Sequence, residues 1–182
     1  MEAQKYLLQR ALYFLARRPH STTEIRQKLS RIKVWAAKTT GGNAKIPDNT
    51  EKAGSTAKIP ANPEDITKII QRLTELGYLN DEDFARIYIG SSLRRKPQGL
   101  RLLEMNLRQK GIDESTFATA LKLASVENQF DESDLAQDAA DKKLRTLSKL
   151  PPNKQKEKLY RFLASRGFSM DSIMKVLNKF SS

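Results

Sequence analysis

The chain has 182 residues, of which 38% are hydrophobic and 30% charged, so it is long enough to bury a core and still present a polar surface. Its 33 lysine and arginine residues outnumber its 21 acidic residues, and the net charge of +12 predicts a polyanionic partner. The absence of cysteine excludes disulfides, zinc–thiolate sites and thiol catalysis, and no apolar run approaches the about 18 residues of a membrane span.

The first predicted element is an amphipathic helix from about Gln4 to Ala16, because its leucines and alanines recur at helical spacing. Charged residues interrupt its apolar positions, and no small-residue cleavage site follows. These features argue against a secretory signal and predict a cytoplasmic protein with no membrane partner.

A capping box predicts the start of the second helix. In Ser21-Thr-Thr-Glu24 the serine hydroxyl can accept a hydrogen bond from the Glu24 amide, while the glutamate reaches back to the serine amide. The apolar face that follows begins at Ile25 and extends the predicted helix to Trp35 or Ala36.

Residues 39–62 interrupt the helical pattern. They are rich in Gly, Asn, Thr, Lys and Pro, and they contain the sequence AKIP twice, at 44–47 and 57–60. Such a stretch buries too little apolar surface to offset its chain entropy, so a flexible insertion is predicted, with a structured binding loop as the open alternative. No segment of the chain alternates with period two, and no strand is predicted.

Helical periodicity resumes after the insertion and continues to the end of the chain. The predicted helices are one from Ile66 that ends near Gly77, one after Asn80 that includes Phe84 to Leu93, and then Leu100–Lys110, Asp113–Ala124, Glu132–Leu147, Asn153–Arg166 and Ser169–Lys179.

Three glycines end three of these helices in the same way. Each follows a leucine by four residues and precedes an apolar residue, in LTELGY, LRQKGI and LASRGF. The pattern predicts Schellman stops with left-handed glycines, in which the leucine contacts the apolar residue that follows the glycine. Valine at Gly111 or Gly167 is expected to destabilise the turn. The glycines are Gly77, Gly111 and Gly167, and the predicted contacts are Leu73 with Tyr78, Leu107 with Ile112, and Leu163 with Phe168.

The second and third stops belong to a longer internal repeat, since LRQKGIDESTFATAL at 107–121 is echoed by LASRGFSMDSIMKVL at 163–177. The predicted fold is therefore all-α, made of three tandem three-helix units. Their boundaries are about 4–76, with the insertion between its second and third helices, 80–124 and 131–180.

Positive charge concentrates at the two ends of the chain. Residues 1–33 carry 8 basic and 2 acidic side chains, and residues 153–182 carry 7 and 2. For any single residue, a solvated surface charge is the competing interpretation. The candidates for binding a polyanion are Arg17, Arg18, Arg26, Lys28 and Arg31 at the first end, Arg94, Arg95 and Lys96 in the middle, and Lys158, Arg161 and Arg166 at the last end.

Four segments in order resemble the RecX family, the small regulators of the RecA recombinase. They are ALYFLARRPHSTTEIRQKL at 11–29, ELGYLNDEDFARIYI at 75–89, LRQKGID at 107–113 and YRFLASRGFSMDSI at 160–173. The chain departs from the family's glycine–aromatic–glycine turn, because 97–99 reads Pro-Gln-Gly, and it carries the insertion at 39–62.

This resemblance implies an elongated, slightly curved array of three-helix repeats that binds along RecA filaments formed on single-stranded DNA. Such proteins inhibit the filament's ATP hydrolysis, strand exchange and co-protease activity. The chain is expected to act as a monomer. Whether it also contacts single-stranded DNA directly stays open at this point.

No residue pattern predicts catalysis, a cofactor or a metal. The single histidine, His20, precedes the capping Ser21, and neither a phosphate-binding glycine loop nor clustered metal-ligand spacing is present. The alternative function is a basic helical DNA-binding module with no recombinase target. Against it, the aromatic residues fall mostly on apolar faces and are predicted to be core, namely Tyr6, Phe14, Tyr78, Phe84, Phe117 and Phe168.

Overall fold

The computed structural model describes residues 2–35, 58–95, 97–128 and 130–180. The chain divides into two compact units, Met1–Leu79 and Asn80–Ser182. The described residues form nine α-helices and one two-stranded sheet. In the first unit these are α1 (Glu2–Arg17), α2 (Thr22–Ser30), β1 (Lys33–Trp35), β2 (Lys58–Pro60) and α3 (Pro63–Glu75), and in the second α4 (Asp81–Arg95), α5 (Leu100–Gln109), α6 (Glu114–Asn128), α7 (Glu132–Leu147), α8 (Pro152–Ser165) and α9 (Met170–Phe180).

The first unit packs α1, α2 and α3 around one apolar cluster, because each helix places its large aliphatic residues at 3–4-residue spacing. Leu7, Ile25, Leu29 and Leu73 are fully buried in it. Ser21 begins α2 as predicted, since its side-chain oxygen accepts from the Glu24 amide at 3.1 Å.

A short antiparallel sheet corrects the prediction that the chain has no strands. β1 pairs with β2 in the register Val34↔Ile59, and α2 ends at Ser30 instead of continuing to Trp35. Three-residue strands are too short for alternation to be read from sequence. The second AKIP copy therefore contributes a strand, and the rest of the insertion predicted to be flexible, residues 39–57, lies outside the described residues.

The three glycine stops are confirmed. Gly77, Gly111 and Gly167 have φ angles of 74°, 83° and 78°, and at each the next residue's amide donates to the carbonyl of the predicted leucine. Tyr78 differs from the predicted pattern, since its side chain is 59% exposed and the buried residue beside Leu73 is instead Leu79.

The second unit contains two apolar clusters that meet at α7. One is formed by α4, α5 and α6 and includes the fully buried Leu103 and Leu107, and the other by α7, α8 and α9 and includes Leu159 and Leu163. Leu135, near the start of α7, packs against both clusters.

A close backbone contact joins these two sets of helices. The Gly99 amide donates to the Arg166 carbonyl at 2.9 Å, and a Cβ at Gly99 would collide with the Gly167 carbonyl. A Cβ at Gly167 would in turn lie 2.6 Å from the Leu102 amide nitrogen. Glycine at both positions is what allows the α8–α9 turn to rest on the start of α5.

One carboxylate crosslinks three helix starts at the same junction. Glu132, on the first turn of α7, accepts from the Leu100 amide at 3.0 Å, the Ser169 hydroxyl at 2.5 Å and the Ser172 hydroxyl at 3.0 Å. Because the N-terminal amides of a helix have no partner within the helix, this carboxylate caps α5 from another element.

Candidate polyanion-binding surface

Alternating cations and aromatic rings form a compact surface cluster on the first unit, here called the α1 patch. It consists of Arg10, Tyr13, Phe14 and Arg17 on α1, and Lys28 on α2. Tyr13 and Phe14 each lie three or four positions from both Arg10 and Arg17, which places each ring beside both arginines on the helix surface. Lys28 enters from the neighbouring helix.

The rings of the patch are in cation–π contact with its charges. The Arg10 guanidinium carbon lies 5.2 Å from the Tyr13 ring centroid and 5.4 Å from that of Phe14. The Arg17 guanidinium carbon lies 5.7 Å from the Tyr13 centroid, and its Nη1 donates to the tyrosine hydroxyl at 3.0 Å. The Lys28 ammonium lies 4.8 Å from the Phe14 centroid. Such contacts hold charged groups in place without neutralising them.

The positive charge of the α1 patch has no ionic compensation within the described part of the chain. Arg10, Arg17 and Lys28 form no ion pair there, whereas the adjacent Arg18 lies 3.2 Å from the Glu24 carboxylate. In addition, the Arg10 Nε atom is buried without a hydrogen-bond partner among the described residues. The patch therefore presents three positive charges to a ligand.

The patch rests on a rigid support. Phe14 packs against the apolar cluster of the first unit, and the centroids of the Phe14 and His20 rings lie 6.3 Å apart. His20 is buried at the α1–α2 turn with Nδ1 2.8 Å from the Arg18 carbonyl. Burial lowers the pKa of the imidazole below 6.5, the hydrogen bond to Arg18 opposes this, and the Arg18 charge lowers the pKa further.

The predicted binding residues at the first end therefore separate into two groups. Arg17 and Lys28 join the α1 patch. Arg18 is paired with Glu24, Arg26 donates to the Thr67 hydroxyl at 3.1 Å, and Arg31 is exposed at the end of α2.

The described members of the middle and last groups of predicted residues lie on α4 and on α8 or its C-cap. Arg94 is exposed on the last turn of α4, while the side chains of Arg95 and Lys96 lie outside what the structure describes. Arg161 pairs with Glu157 at 2.6 Å and Lys158 is exposed. Arg166 lies 5.3 Å from the Phe162 centroid, and Lys143 of α7 lies 5.4 Å from the same ring.

Two residues of the α1 patch, Arg10 and Tyr13, were missed by the sequence reasoning. The available signal was their spacing, since Arg10, Tyr13 and Arg17 recur on one helical face. The prediction that the aromatic residues are core is also wrong in part, because Tyr6 is 40% exposed and Tyr78 is exposed as well. Phe84, Phe117 and Phe168 are buried as predicted.

The second unit contains a surface pocket of about 420 Å³ at the junction of α5, α8 and α9. Apolar side chains such as Tyr160, Phe168 and Met170 line most of it, with Arg101 and Glu132 as its charged members. The Glu132 oxygens already accept the hydrogen bonds that join the helices. The carboxylate in this pocket thus serves the packing of the unit.

The described residues offer neither a metal site nor a membrane-spanning helix. Among them, no group of three or more His, Asp or Glu side chains is placed to hold a metal ion. Within the same residues, none of the helices has both the length and the apolar character needed to cross a membrane.

Comparison with protein families gives matches in three consecutive parts of the chain. Models of the first, second and third three-helix domains of RecX match residues 8–33, 80–121 and 131–177, respectively. The matches follow one another in the order of the family's domains. Together with the nine helices of the described residues, they show an all-α protein built from tandem three-helix domains.

Relatives match across nearly the full chain. The regulatory protein RecX of Serratia proteamaculans is 32% identical over 179 residues, covering 96% of this chain and 98% of its own. The regulatory protein RecX of Cronobacter sakazakii is 33% identical, with 98% and 94% covered. The crystal structure of RecX from Lactobacillus salivarius has a similar fold, with a TM-score of 0.71, 19% identity, and 99% and 97% of the chains covered.

Proposed function

The chain belongs to the RecX family, and from this membership we propose that it is a regulatory protein of the RecA recombinase. It binds the filament that RecA forms on single-stranded DNA and inhibits the filament's ATPase, strand-exchange and co-protease activities. In doing so it modulates recombination and DNA repair. The protein acts in the cytoplasm as a monomer.

The observation that best supports this proposal is the uncompensated positive charge on the first unit. A nucleoprotein filament presents DNA phosphates and acidic side chains, and three unpaired cations of the α1 patch suit either. Exposed basic residues of the second unit, such as Arg94 and Lys158, supply further points of attachment.

Inhibition follows from holding several recombinase subunits at once. ATP turnover in a filament requires its subunits to change state, and a protein attached at several points opposes such changes. Each attachment can be weak, because attachments that are linked in one chain act at a high effective concentration. We therefore expect tight binding along the filament, with a strong dependence on salt.

The deciding experiment is a titration of the single-strand-dependent ATPase of the cognate recombinase, with this protein well below one copy per recombinase. Inhibition at that ratio, persisting when single strands are in excess, supports action on the filament. Loss of activity only in proportion to the DNA covered would contradict the proposal and favour a basic DNA-binding module. If the protein bound only at filament ends, inhibition would come from capping the filament and not from bridging several of its subunits.

A further inference from the structure

We propose that the α1 patch binds single-stranded DNA directly, with the Tyr13 ring stacking on a nucleobase and the Arg10 and Arg17 guanidinium groups contacting the phosphates on either side. This inference rests on the proposed function for its choice of DNA as ligand. It can fail separately, because the binding requires no recombinase.

Tyr13 is exposed enough to stack on a base. Its side chain is 49% exposed and belongs to none of the apolar clusters, although Phe14 beside it packs on the core. The hydrogen bond from Arg17 Nη1 to the tyrosine hydroxyl, at 3.0 Å, restrains this half-exposed ring, so the ring loses little conformational freedom when a base stacks on its exposed part. Stacking on aromatic rings is also how proteins take up unpaired bases.

The three cations of the α1 patch repel one another. Arg10 and Arg17 approach the same Tyr13 ring, and Lys28 approaches the ring of Phe14, next along the helix. These cations lie within a distance comparable with the Debye length of about 8 Å at physiological salt, so their repulsion is only partly screened. A ligand that brings phosphates to the patch relieves this repulsion.

The dimensions of the patch fit a single strand. Arg10 and Arg17 are seven residues apart, which is about 10 Å along a helix axis. That length is enough to span one nucleotide of an unstacked strand together with the phosphates on either side of it. A duplex offers phosphates but keeps its base faces stacked inside, and an acidic peptide offers carboxylates but no base. The exposed ring therefore favours an unpaired strand.

The test measures binding of a fluorescein-labelled oligothymidylate of about fifteen nucleotides by fluorescence anisotropy, without recombinase and at about 50 mM salt. Tyr13→Ala is expected to raise the dissociation constant about 5- to 150-fold, since a base stacked on an aromatic ring contributes about 1–3 kcal/mol. Tyr13→Phe, which keeps the ring, should restore most of the affinity.

Tyr78→Ala is the matched control. Tyr78 is an exposed tyrosine of the same unit, 59% exposed, with no cation–π contact among the described residues. Its replacement should leave the dissociation constant unchanged. Equal losses for Tyr78→Ala and Tyr13→Ala would overturn the assignment of stacking to Tyr13, as would binding unaffected by Tyr13→Ala in a protein with unchanged circular dichroism.

An oligonucleotide of the same length and charge but without bases separates stacking from charge. The unmodified protein should bind it more weakly by about the factor that Tyr13→Ala costs on oligothymidylate, and Tyr13→Ala should not distinguish the two ligands. Competition by polyglutamate as strong as that by oligothymidylate would overturn the inference in favour of an acidic protein surface. Equal affinity for a duplex of the same length would also overturn it.

The phosphate contacts have their own readout. Arg10→Gln and Arg17→Gln should each reduce the slope of log affinity against log salt by about one. Unchanged slopes would overturn the phosphate assignment.

If oligothymidylate binding depends on Tyr13 while the recombinase ATPase is unaffected, the inference stands and the proposed function fails. If the protein inhibits the ATPase but Tyr13→Ala does not change oligothymidylate binding, the proposed function stands and the inference fails.

Discussion

Single residues in this protein differ in effect according to what surrounds them. Gly77 and Gly167 share a left-handed backbone, but a Cβ at Gly77 would meet open space, whereas one at Gly167 would meet Leu102 at 2.6 Å. The two positions look alike in sequence, since each glycine follows a leucine by four residues. Only at Gly167 does glycine meet both a conformational and a steric requirement.

His20 leads to a prediction about pH. Burial lowers the pKa of its imidazole in the folded state, with Arg18, Glu24 and Lys28 as the charged groups around it. Between that pKa and the unfolded value of 6.5, the unfolded chain binds the proton that the folded chain does not, so stability falls as pH falls. The contribution is fully present above about pH 6.5, and each pKa unit corresponds to about 1.4 kcal/mol.

Measuring the free energy of unfolding by urea between about pH 5 and pH 7.5 tests this expectation. His20→Asn retains a donor for the Arg18 carbonyl but cannot be protonated in this range. The loss of stability on acidification should be smaller in the variant than in the unmodified protein. Parallel pH profiles for the two proteins would contradict the prediction.

Helices in the second unit depend on groups that other helices supply. Gly99 precedes α5 and has no side chain to cap it, and the Leu100 amide donates instead to Glu132 of α7. The same carboxylate accepts from Ser169 and Ser172 at the start of α9. The start of α5 therefore receives its side-chain cap only when α5 packs against α7, and the same carboxylate joins α9 to them.

We expect Glu132→Ala to destabilise the protein by about 2–4 kcal/mol, because it leaves several partly buried donors without their charged acceptor. The measurement is the free energy of unfolding in urea, followed by circular dichroism. Glu157→Ala is the control, since Glu157 is 58% exposed and pairs only on the surface with Arg161. It should change the free energy by less than about 0.5 kcal/mol. Similar effects of both variants would contradict the bridging role of Glu132.

At the scale of the whole molecule, the two compact units carry different parts of the function proposed here. The α1 patch lies in Met1–Leu79, whereas both the Glu132 junction and the basic helix α8 lie in Asn80–Ser182. Core residues of the second unit come from that unit alone, and Leu135 links its two clusters. The second unit therefore contains the contacts that an independently folding domain needs.

The fragment 80–182 is expected to fold by itself and to unfold cooperatively on heating, as measured by circular dichroism. It should lose the base-dependent binding of oligothymidylate, because the α1 patch is absent. The fragment 80–128 is the control. It has about half the length and lacks Leu135 and the Glu132 carboxylate, so it should not unfold cooperatively. Cooperative unfolding of the short fragment would show that α7 is dispensable for the cluster of α4 to α6.

The sequence by itself determined the family, the helices and most of their ends, although the end of α2 was predicted too late. Helical periodicity, the Ser21 cap and the three glycine stops are local features, because they depend on residues within a few positions of one another. For the same reason Glu132–Leu147 was predicted with the bounds that the structure has.

Tertiary structure alone decided the features that join distant residues. The β1–β2 pairing, the contact of Gly99 with Gly167 and the bridging role of Glu132 each join residues more than 20 positions apart, and no local pattern encodes them. The α1 patch shows both contributions. Its spacing was present in the sequence, but the pairing of Arg18 with Glu24 and the approach of Lys28 from α2 decided which charges stay available. Charge is a property of a residue, whereas its compensation is a property of the packed molecule.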